Sequence, residues 1–196
     1  MKRLSHRTVN NLLSVVVIGV SLYTLLLPLW PAVQFWWDSR NPEVRDSISR
    51  QVFANSDNGS EPIGDNKLLI PEILVDEPIV TGTSLSVIDD GGIWLRPASA
   101  MPDEQGNIVL AGHRFTYNQP NGPLYNLDKL SVGDVIGVHW EGEAYRFEVS
   151  DIKTVTADSV GIEAPTSERQ LTLYTCTPLL TAENRLVIIA QEVDEI

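Results

Sequence analysis

The first long apolar stretch of the chain predicts a membrane-spanning helix. No charged residue occurs from Thr8 through Trp37, and Leu, Val and Ile dominate residues 9–29. An α-helix rises about 1.5 Å per residue, so about 20 residues cross a hydrocarbon layer of about 30 Å. We therefore expect one transmembrane signal-anchor over residues 9–30.

The residues that flank this span predict its orientation. Lys2, Arg3 and Arg7 precede it, and basic residues favour the cytoplasmic side, while aromatic residues follow from Trp30 onward, as is typical at headgroup depth. The alternative is a cleaved signal peptide, but its apolar core is usually about 7–15 residues long and closes at a small-x-small site. An uncleaved anchor is favoured, with residues 1–8 in the cytoplasm and the remainder outside the cell membrane.

Residues 31–66 are predicted to form a juxtamembrane linker that contains one short helix. Most of this segment is polar and rich in Asn, Ser and Asp, which is typical of linkers. The Asn41-Pro42-Glu43 segment resembles a helix cap with proline at the first helical position, and Val44, Ile48 and Val52 recur every fourth residue. The sequence leaves open whether this helix lies on lipid, on the following domain or across a site.

From residue 67 onward the apolar positions recur with period two, which predicts short β-strands. In the clearest case, Tyr145, Phe147 and Val149 alternate with polar residues, so one face is core and the other faces water. The predicted strands are 67–75 (kinked at Pro71), 92–95, 107–112, 134–140, 145–149, 170–176 and 185–193, with helical turns at 83–88 and 124–130 and a hairpin turn at 141–142. Residues 67–196 are therefore predicted to be one all-β domain, a closed barrel or a sandwich.

The charge distribution argues against nucleic acid as a partner. The chain has 14 Lys and Arg against 26 Asp and Glu, and residues 1–66 hold six of each sign, so the net charge of -12 lies entirely in residues 67–196. Phosphate backbones would repel such a domain. An acidic surface is compatible with amine-bearing partners, although solubility is the simpler explanation.

The sequence predicts no cofactor. One cysteine and three scattered histidines do not supply the three or four close ligands of a zinc site, and neither a G-x-S-x-G elbow nor a phosphate-binding glycine loop occurs. Asp89, Asp90 and Glu163 are acidic residues that could bind calcium, but their spacing matches no recognised loop. Calcium dependence is left open.

The single cysteine, Cys176, is the candidate nucleophile. It cannot form an intramolecular disulfide, so a thiol outside the cell needs an intermolecular partner or a chemical use. A cysteine nucleophile requires a proton-transfer group and a donor to the developing oxyanion. Cys176 ends a predicted strand before Pro178, and an inert buried cysteine is the alternative interpretation.

His113 is the candidate proton-transfer group. His6 lies on the cytoplasmic side of the predicted anchor, and His139 lies in mid-strand, turned by alternation away from the apolar face, where we expect it to meet solvent. His113 ends the predicted strand 107–112, where a polar loop begins. A loop histidine bonded to backbone is the alternative.

Arg185 is the candidate oxyanion donor. It opens the strand that follows Cys176, nine residues on, and would lie beside Cys176 if the two strands pair. The alternative is a surface ion pair between Arg185 and Glu183.

Three segments that contain these residues resemble the signature segments of the sortases. The segments are 106–114 (GNIVLAGHR), 172–178 (TLYTCTP) and 184–186 (NRL). Their order matches, as do the 63 residues from His113 to Cys176 and the nine from Cys176 to Arg185. The resemblance covers about residues 68–191, and the combination is far more specific than any one segment.

The resemblance implies a closed eight-stranded sortase-like β-barrel and a membrane-anchored cysteine transpeptidase. Such an enzyme cleaves an LPxTG-like sorting signal at the C-terminus of secreted proteins and transfers the protein to an amine acceptor, either a cell-wall precursor or a protein lysine. Cys176 would form a thioester acyl-enzyme, Arg185 would stabilise the oxyanion and His113 would transfer protons. Thr175 would help to position the substrate.

The resemblance also bears on the class of sortase. Pilus-building members often carry a lid with an aromatic residue after Asp-Pro ahead of the barrel, but the nearest match, Asp76-Glu77-Pro78, falls inside the predicted domain. The segment 91–97 and Tyr174 also favour a housekeeping-type enzyme. Two other functions stay open, a peptidase in which water resolves the thioester and a non-catalytic surface-binding barrel with a structural Cys176.

Overall fold

The computed structural model describes residues 6–53 and 66–193. Three α-helices come first, α1 (His6–Leu26), α2 (Trp30–Asp38) and α3 (Pro42–Val52), with a 3-10 turn at Leu27–Leu29. The helical run from His6 to Asp38 is 33 residues long and apolar enough to cross a membrane, and none of its most apolar window is buried in the described protein. The sequence prediction of one long apolar N-terminal helix is therefore confirmed.

Eight strands form a closed barrel, as the resemblance implies. In chain order they are β1 (Lys67–Ile70), β2 (Val75–Thr81), β3 (Ile93–Leu95), β4 (Asn107–Ala111), β5 (Val135–Trp140), β6 (Glu143–Thr156), β7 (Gln170–Thr177) and β8 (Asn184–Glu192). Neighbouring strands follow the order β1-β2-β3-β4-β7-β8-β6-β5, and β5 pairs with β1 to close the barrel. The β2–β3 and β4–β7 pairs are parallel, and the other pairs are antiparallel.

Two strands differ from the sequence prediction. The kink predicted at Pro71 is a 3-10 turn, Pro71–Ile73, that divides the segment 67–75 into two strands. The second of them, β2, continues to Thr81 through the Asp76-Glu77-Pro78 segment, which is thus a barrel strand rather than a lid. β6 extends well beyond residue 149. Its second half pairs with β8 and is largely exposed, so it lacks the apolar alternation from which a strand is predicted.

Strand alternation fills the barrel interior. Ile108 and Leu110 of β4, Leu171 and Leu173 of β7, and Phe147 of β6 are fully or almost fully buried in one cluster. Each such side chain contributes about 1.5–3 kcal/mol when it leaves water. The residues between them on each strand face outward, and this alternation decides which side chains can reach a surface site.

Helix α3 covers the outer face of β1 and β5. Asn41 caps its N-terminus by accepting a hydrogen bond from a backbone N–H, as predicted, and Ile48 and Val52 bury against Leu69. A Cβ atom on Gly137 of β5 would lie 3.0 Å from Val52 Cγ2. The helix therefore approaches the strand closely because residue 137 has no side chain.

The prediction that His139 faces solvent is wrong, because the side chain is only 4% exposed. Alternation does turn it away from the barrel interior, but α3 lies over that outer face. The His139 Nε2 atom is 3.1 Å from the backbone oxygen of Gln51, in the last turn of the helix. The pattern within a strand indicates which face a residue occupies, and a separate segment decides whether that face meets water.

A pH dependence of stability is expected from His139. Burial lowers its pKa from the ordinary value of 6.5, against the hydrogen bond to Gln51, which raises it. As the pH falls below that value, the unfolded chain binds a proton that the folded chain does not, so the folded state loses stability. We expect the free energy of unfolding to fall more steeply for wild type than for His139→Gln. Denaturant titrations of the full chain in micelles at about pH 7.5 and about pH 5.5 measure this change in free energy. An equal fall between the two pH values in wild type and in the variant would contradict the expectation.

Candidate active site

A cavity of about 420 Å³ opens on the outer wall of the barrel, above the ends of β4, β7 and β8. His113, Cys176, Arg185 and Thr175, the four residues singled out in the sequence, all line it. The 3-10 turn Val160–Glu163 and residues of the turn Leu85–Ile88 form its walls. The structure thus gathers residues that are far apart along the chain into one groove.

The pairing of β7 and β8 brings Cys176 and Arg185 together. Leu173 of β7 and Leu186 of β8 point into the core, so Cys176 and Arg185 both lie on the outer face. In the antiparallel register the two residues are direct partners. Both are partly exposed, so a molecule in the groove can reach them.

The parallel pairing of β4 and β7 extends toward His113. Ala111 lies opposite Tyr174, and the Gly112 N–H donates to the Tyr174 carbonyl at 3.3 Å. Two further steps in the same register lead to His113 and Cys176, which both line the cavity. Adjacent strands are about 4.8 Å apart, so His113, Cys176 and Arg185 form a short row of residues across the ends of three neighbouring strands.

Thr175 makes a contact that the sequence does not reveal. Its side chain is 1% exposed, and its hydroxyl donates to the Gly112 carbonyl at 2.8 Å. This bond ties the residue before Cys176 to the residue before His113. The hydroxyl is engaged with the backbone, so the contact positions the two strand ends relative to each other.

A second polar network holds the wall of the groove. Glu163 accepts hydrogen bonds from Arg96 Nε at 2.9 Å and from the Tyr174 hydroxyl at 2.7 Å, while the Arg96 guanidinium lies 4.2 Å from the centre of the Trp94 ring. Burial and the neighbouring Glu163 raise the pKa of Tyr174, so its hydroxyl stays protonated and donates. The turn Val160–Glu163 is thereby fastened to β7 and to the segment after β3.

This network changes the interpretation of Glu163. The sequence suggests it only as an acidic residue able to bind calcium, whereas the structure engages its carboxylate with Arg96 and Tyr174. Within residues 6–53 and 66–193, no three His, Cys, Asp or Glu side chains come together as a metal site.

The loop after His113 is fixed by Arg114. Its Nη1 donates to the Thr177 hydroxyl at 3.0 Å, its Nε donates to the Tyr125 carbonyl at 3.2 Å, and its Nη2 pairs with Asp128 at 2.7 Å. The guanidinium therefore joins the loop that leaves β4 to the end of β7. Sequence reasoning gave Arg114 no role, because its partners lie up to 63 residues away.

The row of residues has the elements of a thiol-dependent acyl-transfer site. A thiol supplies a nucleophile, an imidazole moves a proton, and a guanidinium donates to an oxyanion. Arginine remains protonated in proteins and cannot act as a base, so the imidazole is the better suited of the two to move a proton. The row is open to the groove along the outer face of the strands.

The family model described as the Sortase domain matches residues 68–193. Sortase SrtE1 of Streptomyces coelicolor is 30% identical over 194 residues, covering 87% of this chain and 54% of that protein, so this chain spans about half its length. Sortase D of Bacillus subtilis is 32% identical over 130 residues, covering 64% of this chain and 62% of that protein. The chain therefore belongs to the sortase family, whose members are cysteine transpeptidases.

Solved sortase structures have the same fold. The crystal structure of sortase E1 from S. coelicolor with a tripeptide in the active site aligns with a TM-score of 0.59 and 28% identity over 67% of this chain and 88% of that one. Sortase C1 from Streptococcus agalactiae aligns with a TM-score of 0.61 and 25% identity over 77% of both chains. The closed barrel is thus a sortase barrel.

Proposed function

We propose that this protein is a membrane-anchored transpeptidase that cleaves an LPxTG-like sorting signal and transfers the secreted protein to an amine acceptor. The observation that carries the proposal is the row of His113, Cys176 and Arg185, which lines one groove on three neighbouring strand ends. The acceptor is an amine of a cell-wall precursor or of a protein lysine. Because the Asp76-Glu77-Pro78 segment is part of β2, we favour a housekeeping-type enzyme over a pilus-type one.

The first half-reaction forms a thioester. The Cys176 sulfur, as thiolate, attacks the carbonyl carbon of the Thr–Gly bond, and the Arg185 guanidinium donates to the oxyanion that develops on the carbonyl oxygen. When the intermediate collapses, the C–N bond breaks and protonated His113 gives its proton to the departing glycine amine. The products are an acyl-enzyme on Cys176, a free amine and a neutral imidazole.

The second half-reaction reverses these roles. An incoming amine attacks the thioester carbonyl, and neutral His113 takes the proton that the nitrogen loses as the new amide bond forms. The carbon–sulfur bond then breaks, and the sulfur leaves as a thiolate. The enzyme returns to its starting state, with His113 protonated and Cys176 free.

The N-terminal helix supplies the anchor in this proposal. Residues 9–30 span the membrane, residues 1–8 remain in the cytoplasm, and the barrel lies outside. The exposed apolar surface of α1 supports this, because such a surface is stable in hydrocarbon and unfavourable in water. The enzyme then acts on proteins as they emerge from the membrane.

Transpeptidation is tested with the full chain in micelles and a peptide that contains an LPxTG-like signal, with and without a glycine amine. We expect a ligated product when the amine is present. Equal amounts of hydrolysed peptide with and without amine would indicate a peptidase in which water resolves the thioester. Intact peptide in both samples, across a set of related signals, would favour a non-catalytic barrel.

The Glu163 network is expected to affect substrate binding more than chemistry. In Glu163→Gln the side chain loses the charge that holds Arg96, and charge-assisted bonds of this kind contribute about 1.5–3 kcal/mol. A less firmly held groove wall should raise KM about tenfold while kcat changes less, since about 1.4 kcal/mol corresponds to tenfold in affinity. The exposed Glu168→Gln is the control, and steady-state kinetics of both variants provide the measurement. A fall in kcat with unchanged KM would contradict this role.

A further inference from the structure

A second groove, of about 700 Å³, lies between the outer end of α1 and the loop that joins β7 to β8. Thr24, Leu25 and Leu29 line one side of it, and Tyr117, Leu179 and Leu180 line the other. Most of these side chains are apolar. The loop is also the one that connects Cys176 to Arg185, since residues 178–183 separate the two strands.

The barrel is held against this end of the helix by specific contacts. The Tyr125 hydroxyl donates to the Pro28 carbonyl at 2.7 Å, and Asn121 Nδ2 donates to the Gln34 side chain at 2.7 Å. Phe35 packs against the barrel core, with the Lys129 ammonium 3.6 Å from the centre of its ring. These contacts join the segment between β4 and β5, which also carries Tyr117, to residues 28–35, so they hold the barrel beside this end of the helix.

The depth of the loop follows from the helix beside it. Thr24 and Leu25 belong to the span assigned to residues 9–30, and residues 24–30 at the end of that span cover on the order of 10 Å of membrane thickness. Side chains that share a groove with Thr24 and Leu25 share their depth. Leu179 and Leu180 are thus level with the outermost turns of the span.

The exposed surface of the loop matches the chemistry of lipid. Leu180 is 65% exposed and Tyr117 is 66% exposed. Large exposed apolar side chains that lie together are unfavourable in water, and these lie beside the exposed apolar surface of α1. Tyrosine prefers the boundary between hydrocarbon and headgroups, where its ring is buried and its hydroxyl is hydrated.

We propose that the β7–β8 loop and Tyr117 insert into the outer leaflet of the membrane and that lipid acyl chains fill the groove. This inference rests on the proposed membrane anchor. Cys176 and Arg185 stand at the two ends of the inserted loop, so the active site opens at the membrane surface. A substrate or an acceptor that is itself attached to lipid reaches the groove of the active site without leaving the bilayer.

Fluorescent labelling at residue 180 tests the insertion. In a Cys176→Ala background, which removes the native thiol, Leu180→Cys carries an environment-sensitive dye in the full chain reconstituted into phosphatidylcholine and phosphatidylglycerol vesicles. Ser167→Cys is the matched control, an exposed residue beyond the other end of β7, and the eight residues of that strand span on the order of 25 Å. Lipids with a quencher near the headgroup then report the depth of each dye.

We expect blue-shifted emission and several-fold stronger lipid quenching at residue 180 than at residue 167. Water-like emission at residue 180, or equal quenching at both sites, would overturn the proposal. Blue-shifted emission without lipid quenching would also overturn it, because the groove would then hold protein. Flotation with the vesicles tests the anchor separately, and the inactive background makes the result independent of transpeptidation.

Discussion

Cys176→Ala is expected to reduce turnover of a sorting-signal peptide by a factor on the order of 10⁴ or more, as for the loss of other catalytic nucleophiles. Cys176 is the only cysteine in the chain, so no other thiol can replace it. His113 and Arg185 would still bind and polarise the peptide, but no thioester could form. Chromatographic measurement of cleaved peptide over several hours gives the residual rate.

The control for this variant is Ser159→Ala, which removes a hydroxyl from the same cavity but outside the row. We expect Ser159→Ala to turn over substrate within a few-fold of wild type. Circular dichroism should be unchanged in both variants, since Cys176 is partly exposed and its replacement leaves no closed cavity. A Cys176→Ala rate close to that of Ser159→Ala would show that the sulfur is not the nucleophile.

Arg185→Lys is expected to lower kcat by about 10²–10³, the usual effect of losing an oxyanion donor. The Arg185 Nη1 atom donates to the carbonyls of Ala182 and Asn184, at 3.0 and 2.9 Å, which fixes the plane of the guanidinium. A guanidinium has five N–H donors, so donors remain for a substrate oxygen. A lysine ammonium lacks this planar fork and cannot hold both partners in the same geometry.

Arg45→Lys is the matched control, because Arg45 pairs with Glu72 beside α3, away from the groove. The same conservative change there should leave kcat unaltered. Single-turnover kinetics separate the acylation step from amine attack and show which step Arg185→Lys slows. Retention of nearly full kcat in Arg185→Lys would mean that charge alone is sufficient, and the oxyanion role would then be wrong.

The fold was largely predictable from local patterns. Alternation gave most strands, and the hairpin turn at 141–142 is seen between β5 and β6, where Glu141 and Gly142 both have positive φ. The outward direction of Cys176 also follows from alternation with Leu171 and Leu173. Closure into eight strands came instead from the family resemblance, because a period of two fits a barrel and a sandwich equally well.

The contacts between distant segments could not be predicted. His139 is buried because α3 folds back over β5, and nothing in the strand itself indicates that cover. Arg96 and Glu163 are 67 residues apart, and their pairing depends on how the loop after β6 crosses the barrel wall. Long-range pairs of this kind are fixed by topology, which local propensity does not encode.

Peptide mapping of the wild-type chain after brief incubation with an LPxTG-like peptide examines the proposed chemistry most directly. After acid quenching and proteolysis, the fragment that contains Cys176 should carry the mass of the peptide up to its threonine, and a glycine amine should remove that mass as ligated product appears. Cleaved peptide with Cys176 unmodified at every time point, or an adduct on a different residue, would contradict the thioester mechanism.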